Sequence, residues 1–270
     1  MKNLLLIFDS LLSKRQKIIL STVLIAIGYL IITHQNIVLF RKYHYIAIFI
    51  FLSYLLSLWS LLNGMNKTKA IMVFILPVYF VVVMVGFYFL FEQIRWLTRI
   101  PAAIFFCLAF YWLMLTQNVF HVAHDRAIPL YRAALTANFV YTIFTMILML
   151  SIIFSFNLPF YWNGALIFGA SFPLLMQSLW VVKIGPLSTH VVVYSAVISL
   201  ILSETAMALS FWPASPLVLS LYINSVTYAL LGIVTDILKE RSSRRVITEY
   251  VTAGGVLFVV ILFLTSLFTY

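Results

Sequence analysis

Charged residues are scarce in this chain. Only 9% of its 270 residues are Asp, Glu, Lys or Arg, whereas 64% are hydrophobic, and the mean hydropathy is +1.10. Soluble domains contain roughly 25% charged residues and about half apolar residues. This composition excludes an ordinary soluble protein, and it indicates that lipid surrounds most of the chain.

Cysteine and the usual catalytic motifs are also missing. Cys107 is the only cysteine, so the chain cannot form an internal disulfide, and no Cys/His spacing of a zinc site occurs. The sequence has no phosphate-binding P-loop, no nucleophile elbow, no paired-aspartate diphosphate motif and no dinucleotide fingerprint. We therefore predict no metal, no cofactor and no catalytic residue, although this leaves an enzyme of another kind open.

Acidic residues are few, with 7 Asp and Glu against 17 Lys and Arg, which gives a formal net charge of +10. In a soluble protein this excess would suggest nucleic-acid binding. Here the basic residues lie in short connections between apolar segments, where they set membrane topology and contact lipid headgroups. We predict membrane lipids and other membrane subunits as partners, and no nucleic acid.

Long apolar segments fill the rest of the chain. A membrane-spanning helix needs about 17–25 predominantly apolar residues. The segments predict an all-α bundle of about nine spanning helices that forms a single transmembrane domain over residues 1–270. The predicted spans are 17–33, 43–63, 69–91, 100–120, 132–156, 160–182, 188–210, 216–236 and 249–268.

The first sixteen residues, MKNLLLIFDSLLSKRQ, are too short to span a bilayer. Lys14 and Arg15 come after the apolar residues along the chain rather than before them, and one helical face carries Leu4, Leu5, Phe8, Leu11 and Leu12. A cleaved signal peptide has the opposite order and a small-residue cleavage site. We predict an uncleaved amphipathic helix over residues 1–16 that lies on the inner membrane surface.

Basic residues predict the orientation of the bundle. If the N-terminus is cytoplasmic, thirteen of the 17 Lys and Arg residues fall in inner segments and four in outer ones. The outer four are Arg41, Lys42, Arg95 and Arg99. By the positive-inside rule the N-terminus is cytoplasmic and the C-terminus external.

Polar side chains inside apolar segments are candidate functional groups, because lipid solvates them poorly. Glu204 lies in the seventh predicted span, Asn224 lies in the eighth at a similar depth, and Tyr228 lies one turn deeper. The cost of an unpaired charge in lipid favours a neutral Glu204 that is hydrogen-bonded to these two residues. We predict an intramembrane polar cluster with a chiefly structural role. A proton or ligand site is the alternative.

A second group of polar residues occurs in NVFHVAHDR, where the fourth predicted span ends on the inner side. His121, His124 and Asp125 share one helical face, and Arg126 follows them. Two imidazoles and a carboxylate could hold a divalent metal, and Arg126 could hold a lipid phosphate. Because no complete metal motif is present, we expect a solvated inner-interface site without a metal.

Two prolines and one pair of small residues mark packing within the spans. Pro77 and Pro173 lie inside predicted helices, where each frees a backbone carbonyl and kinks the helix. A broken helix lining a cavity is the alternative to such a kink. Ala165 and Gly169 are spaced four residues apart, which favours close approach of two membrane helices.

The pattern from LTRIPAAIFFCLAFYWLMLTQNVFHVA through ETAMALSFWPASP resembles uncharacterised multi-pass proteins of uncultured, small-genome bacteria. The resemblance covers the C-terminal two-thirds of the chain. It implies a protein of the bacterial cytoplasmic membrane, and it implies no activity.

Three functions therefore stay open. The first is a non-catalytic subunit or scaffold of a membrane assembly, which an apolar groove on the outside of a packed bundle would favour. The second is a transporter or permease for a small or lipid-like solute, which a water-filled cavity reaching Glu204 would favour. The third is a membrane enzyme acting on a lipid, which a lateral groove at His121 would favour.

Overall fold

In the computed structural model, the described residues are 13–34, 39–61, 67–90, 96–122, 129–240 and 244–268. These residues form helices joined by short connections, and no strand occurs among them. The predicted all-α fold is therefore confirmed. The helices are α1 (Lys14–His34), α2 (Leu39–Leu61), α3 (Lys67–Leu90), α4 (Trp96–Val122), α5 (Pro129–Ser155), α6 (Phe160–Trp180), α7 (Thr189–Leu209), α8 (Pro216–Leu238) and α9 (Arg244–Phe268).

Eight of these helices, α1 to α8, are long and apolar enough to cross a membrane. Within α9 the described side chains form an apolar stretch over Ile247–Phe263. The chain thus has the architecture of a multi-pass membrane protein. Of the predicted N-terminal interfacial helix, residues 1–12 lie outside the described residues.

Helix α1 begins three residues earlier than the predicted span because Ser13 and Gln16 cap it. The Ser13 backbone N–H donates to Gln16 Oε1 at 2.9 Å, and the Gln16 N–H donates to Ser13 Oγ at 3.4 Å. This reciprocal arrangement is a capping box, which satisfies two backbone donors at a helix start. Lys14 and Arg15 therefore belong to the first turn of α1 and are exposed there.

The chain forms two compact units, Met1–Ala134 and Leu135–Tyr270, with the boundary inside α5. In the first unit, α1 packs against α4 and α2, and α3 packs against α2 and α4. Aromatic rings fill its core. The Tyr29 ring stacks on Phe106 with centroids 4.7 Å apart, and Phe106 stacks on Phe110 at 5.7 Å. That the two units make up one transmembrane domain stays a prediction.

Helix α2 carries a stripe of buried serines, Ser53, Ser57 and Ser60. Each hydroxyl donates to a carbonyl of the preceding turn of the same helix, at 2.8, 2.7 and 2.8 Å respectively. These hydroxyls are thus satisfied without a neighbouring helix. In the part of the chain that is described, α2 is also the least buried candidate span, with 28% of its apolar window inside the protein.

In the second unit the most extensive packing joins α6 to α7, followed by α8 to α9. Ser203 Oγ of α7 donates to the Gly164 carbonyl of α6 at 2.8 Å. At Gly164 an added methyl group would lie 2.7 Å from Met207 Cγ, so a larger residue there would force the Met207 side chain to move. Pro173 lies inside α6, as predicted, and Pro77 lies inside α3.

Candidate functional site

Glu204 projects from the exposed face of α7. The buried face of this helix is formed by other positions, among them Ser195, Leu202 and Ala206. The exposed positions Val193, Val197, Leu200 and Glu204 recur every three or four residues, so they form one stripe along the helix. The only carboxylate of this stripe therefore faces away from the interior of its own unit.

Asn224 and Tyr228 occupy a different environment on α8. Asn224 is 6% exposed, and its Oδ1 is buried without a hydrogen-bond partner. The Tyr228 ring packs edge-on against Phe139 with centroids 5.6 Å apart. Among the described residues no hydrogen bond links Glu204, Asn224 and Tyr228, so the predicted cluster is not assembled by direct bonds.

Aromatic side chains mark the end of the second unit nearest Glu204. The Phe160 ring lies 5.4 Å from that of Phe211, and the Tyr161 ring lies 6.0 Å from that of Trp162. Trp162 and Trp212 lie at the same end and are both exposed. Aromatic belts lie at the membrane–water interface, so these rings mark that level. Glu204 precedes Phe211 by seven residues in the chain, which places it about 10 Å below this level at 1.5 Å per residue.

The predicted inner-interface site falls largely outside the described residues. His121 lies in the last turn of α4, where it is partly buried. His124, Asp125 and Arg126 are outside the described ranges. Within those ranges no group of three or more His, Cys, Asp or Glu side chains is arranged to hold a metal ion.

A buried amide pair, Asn138 and Gln177, was not singled out from the sequence. Gln177 Nε2 donates to Asn138 Oδ1 at 3.1 Å, and neither residue is more than 1% exposed. Gln177 Oε1 is buried without a hydrogen-bond partner. Thr142, one turn along α5, donates to the Asn138 backbone carbonyl at 2.8 Å. The sequence could have indicated this pair, because amide side chains are rare inside apolar helices and need hydrogen-bond partners there.

An apolar groove opens on the first unit between α2 and α3. Its volume is about 550 Å³, which is within the range of small-molecule sites. The Tyr54 ring packs edge-on against Phe74 with centroids 6.2 Å apart, which links the two helices. The lining residues are Ala47, Ile50, Phe51, Tyr54, Ile71, Phe74, Ile75, Val78 and Tyr79. Sequence patterns could not find this groove, since its lining differs little from the other apolar segments.

Comparison with protein families matches residues 17–264 to the family described as "Protein of unknown function (DUF5656)". The match extends from the first turn of α1 to the last turns of α9. Comparisons with curated proteins and with solved structures gave no match.

Proposed function

We propose that this chain, which belongs to the DUF5656 family of unknown function, is a non-catalytic membrane subunit that holds the acyl chain of a lipid-like molecule. The observation that carries the proposal is the apolar groove between α2 and α3. An apolar groove on the outside of a packed bundle is the feature expected of a subunit or scaffold, in contrast to a wet cavity for transport.

The length of the groove favours an acyl chain over a helix. On α2 the lining runs from Ala47 to Tyr54, and on α3 from Ile71 to Tyr79. Seven or eight residues correspond to about 10–12 Å along a helix. A partner helix would need a seam along most of a hydrocarbon core that is about 30 Å thick. The terminal half of an acyl chain fits the shorter length.

The composition of the lining also favours an acyl chain. Its side chains are aliphatic or aromatic, and the only polar atoms that they bring are the hydroxyls of Tyr54 and Tyr79. An acyl chain has no hydrogen-bonding group to satisfy, so it can occupy such a lining without an unpaired polar atom. The low burial of α2 leaves the groove open to the surrounding lipid.

Photolabelling tests this proposal. A phospholipid with a diazirine on its acyl chain is added to the full chain in nanodiscs, and labelled peptides are identified by mass spectrometry. We expect labelling concentrated in peptides of α2 and α3. Ala47→Trp fills the groove and should lower that labelling several-fold, whereas the control Leu108→Trp, at an exposed position of α4, should not. Uniform labelling of the exposed helices, unaffected by Ala47→Trp, would refute lipid binding at this groove.

A permease for a small polar solute is the second candidate, and the amide pair of α5 and α6 favours it. Gln177 Oε1 is a buried acceptor that needs a donor from a solute or from water. Gln177→Leu should then abolish solute flux in proteoliposomes while the protein remains folded. Equal flux in the wild type, in this variant and in empty liposomes would exclude the permease for the solutes assayed.

A further inference from the structure

We propose that the outer face of α6 and α7 docks a membrane-spanning helix of another polypeptide, and that this helix carries a lysine or arginine opposite Glu204. The proposal concerns a different unit and a different ligand from the groove between α2 and α3. It starts from the position of Glu204, which is exposed within a span and has no hydrogen bond or ion pair among the described residues.

A carboxylate in this position needs a partner from outside the unit. Glu204 lies five residues before the end of α7 at Leu209 and about 10 Å below the aromatic belt. Its side chain is too short to reach the headgroups easily, unlike the long side chains of Lys and Arg, which snorkel. Charged groups in membranes are usually paired with one another or face the interior of an assembly. A cation on a neighbouring helix meets this requirement.

The surface around Glu204 has the shape that helix docking requires. Ala165 and Gly169 of α6 are exposed, and an added methyl group at Gly169 would meet no atom within 4 Å. The bond from Ser203 to the Gly164 carbonyl sets the register of the antiparallel pair. It places Ala165 and Gly169 at the depth between Val197 and Glu204. The buried residues of both helices face the rest of the unit, so these exposed residues share its outer side.

Small residues let a partner backbone approach closely, and the neighbouring stripe of α7 supplies side chains to pack against it. Leu200 and Val197 are 51% and 49% exposed, so each retains apolar surface for such packing. The surface therefore combines a trough at the small residues Ala165 and Gly169, which the exposed ring of Phe168 borders, with the apolar side chains of Val197 and Leu200 and one acidic group at its outer end.

Within the eight candidate spans the chain has no cation at the depth of Glu204, which argues against a second copy as the partner. Every Lys and Arg within the eight candidate spans lies within three residues of an end of its span. Glu204 lies deeper than that in α7. In a second copy, a basic side chain could approach Glu204 only by extending inward from the end of a span. A foreign helix with a Lys or Arg about 10 Å below its outer end places the cation directly at the depth of Glu204.

The test uses the full chain in nanodiscs and synthetic membrane-spanning peptides with a fluorescent label. The peptides are identical Leu/Ala helices that carry Lys, Leu or Glu at the depth of Glu204, and binding is followed by energy transfer. We expect the Lys peptide to bind at least about tenfold more tightly than the Leu peptide, and the Glu peptide to bind most weakly. Equal binding of the Lys and Leu peptides to the wild type would overturn the proposal without any variant.

Variants then locate the contact. Glu204→Gln should remove the advantage of the Lys peptide, whereas the matched control Glu249→Gln, in α9, should keep it. Gly169→Leu fills the trough and should weaken both peptides. If the Lys peptide keeps its advantage against folded Glu204→Gln, the cation binds elsewhere and the proposal fails. Rapid disulfide formation between copies of Val197→Cys, in a Cys107→Ala background, would show that a second copy covers this face and would likewise overturn it.

Discussion

Gln177 of α6 donates a 3.1 Å hydrogen bond to Asn138 of α5, and both side chains are buried. This hydrogen bond between two side-chain amides links α5 to α6. Both side chains are buried between apolar helices, so this hydrogen bond specifies how the two helices face each other.

Replacement of one amide should therefore cost more than replacement of both. Gln177→Leu leaves the Asn138 oxygen buried without this donor and should lower the free energy of unfolding by about 1–2 kcal/mol. The double variant Asn138→Leu with Gln177→Leu removes both polar groups and should recover part of that loss. Equilibrium unfolding of the wild type, both single variants and the double variant in mixed detergent micelles measures this double-mutant cycle. Strictly additive losses would show that the two amides are not coupled.

Two glycines of α6 should respond in opposite ways to the same substitution. Gly164→Ala places a methyl group against Met207 and Ser203 Oγ, so overpacking should destabilise the protein by about 1–3 kcal/mol. Gly169→Ala meets no neighbouring atom and should be neutral, or stabilising by up to about 1 kcal/mol through helix propensity. Thermal unfolding of both variants checks this. Equal destabilisation would mean that α6 is buried on both sides.

A lowered pH should break the ion pair between Lys183, in the turn after α6, and Glu240, just after α8. Lys183 Nζ lies 2.9 Å from Glu240 Oε1, and this hydrogen bond and the lysine charge lower the pKa of Glu240 below its ordinary value of 4.5. A carboxylate whose pKa is lower in the folded protein than in the unfolded chain stabilises the fold at pH values above the unfolded-state pKa. That stabilisation is lost as the pH falls through the pKa of the folded state. Because the pair is exposed, the effect should be small.

The measurement compares the unfolding midpoints of the wild type and Glu240→Gln from neutral pH down to about pH 3. The wild type should be slightly more stable at neutral pH, and the difference should vanish in acid. A difference that persists in acid would assign the effect of the substitution to something other than the ion pair.

The orientation of the chain is a prediction from its basic residues. Thirteen of the 17 Lys and Arg residues fall on one side if the spans alternate as assigned. Reporter fusions after Lys239 should be cytoplasmic, and fusions after Tyr270 external. A cytoplasmic reporter at Tyr270 would show that α9 does not cross the membrane.

Hydropathy and proline placement predicted three helices of the second unit closely. The predicted spans 160–182, 188–210 and 216–236 correspond to α6, α7 and α8, with ends that differ by at most two residues. Pro159 precedes α6 and Pro216 begins α8, so each boundary had a local signal. The start of α1 was placed too late because the capping role of Ser13 and Gln16 was not recognised.

The direction in which Glu204 faces could not be predicted from the sequence. In a soluble helix a charged residue marks the exposed face, because the opposite face is apolar. In α7 both faces are apolar, so the pattern does not distinguish the interior of the unit from the surrounding lipid. We predicted a neutral Glu204 that is hydrogen-bonded to Asn224 and Tyr228, whereas the structure places Glu204 on the exposed face of α7.

The serines of α2 have a consequence for how the chain is made. Ser53, Ser57 and Ser60 donate their hydroxyl protons to carbonyls of their own helix, so these donors need nothing from α1 or α3. A helix that brings its own acceptors can leave the translocon for lipid before its neighbours have been synthesised. We therefore expect α2 to enter the bilayer as a single helix during synthesis, and to pack against α3 in a separate, later step.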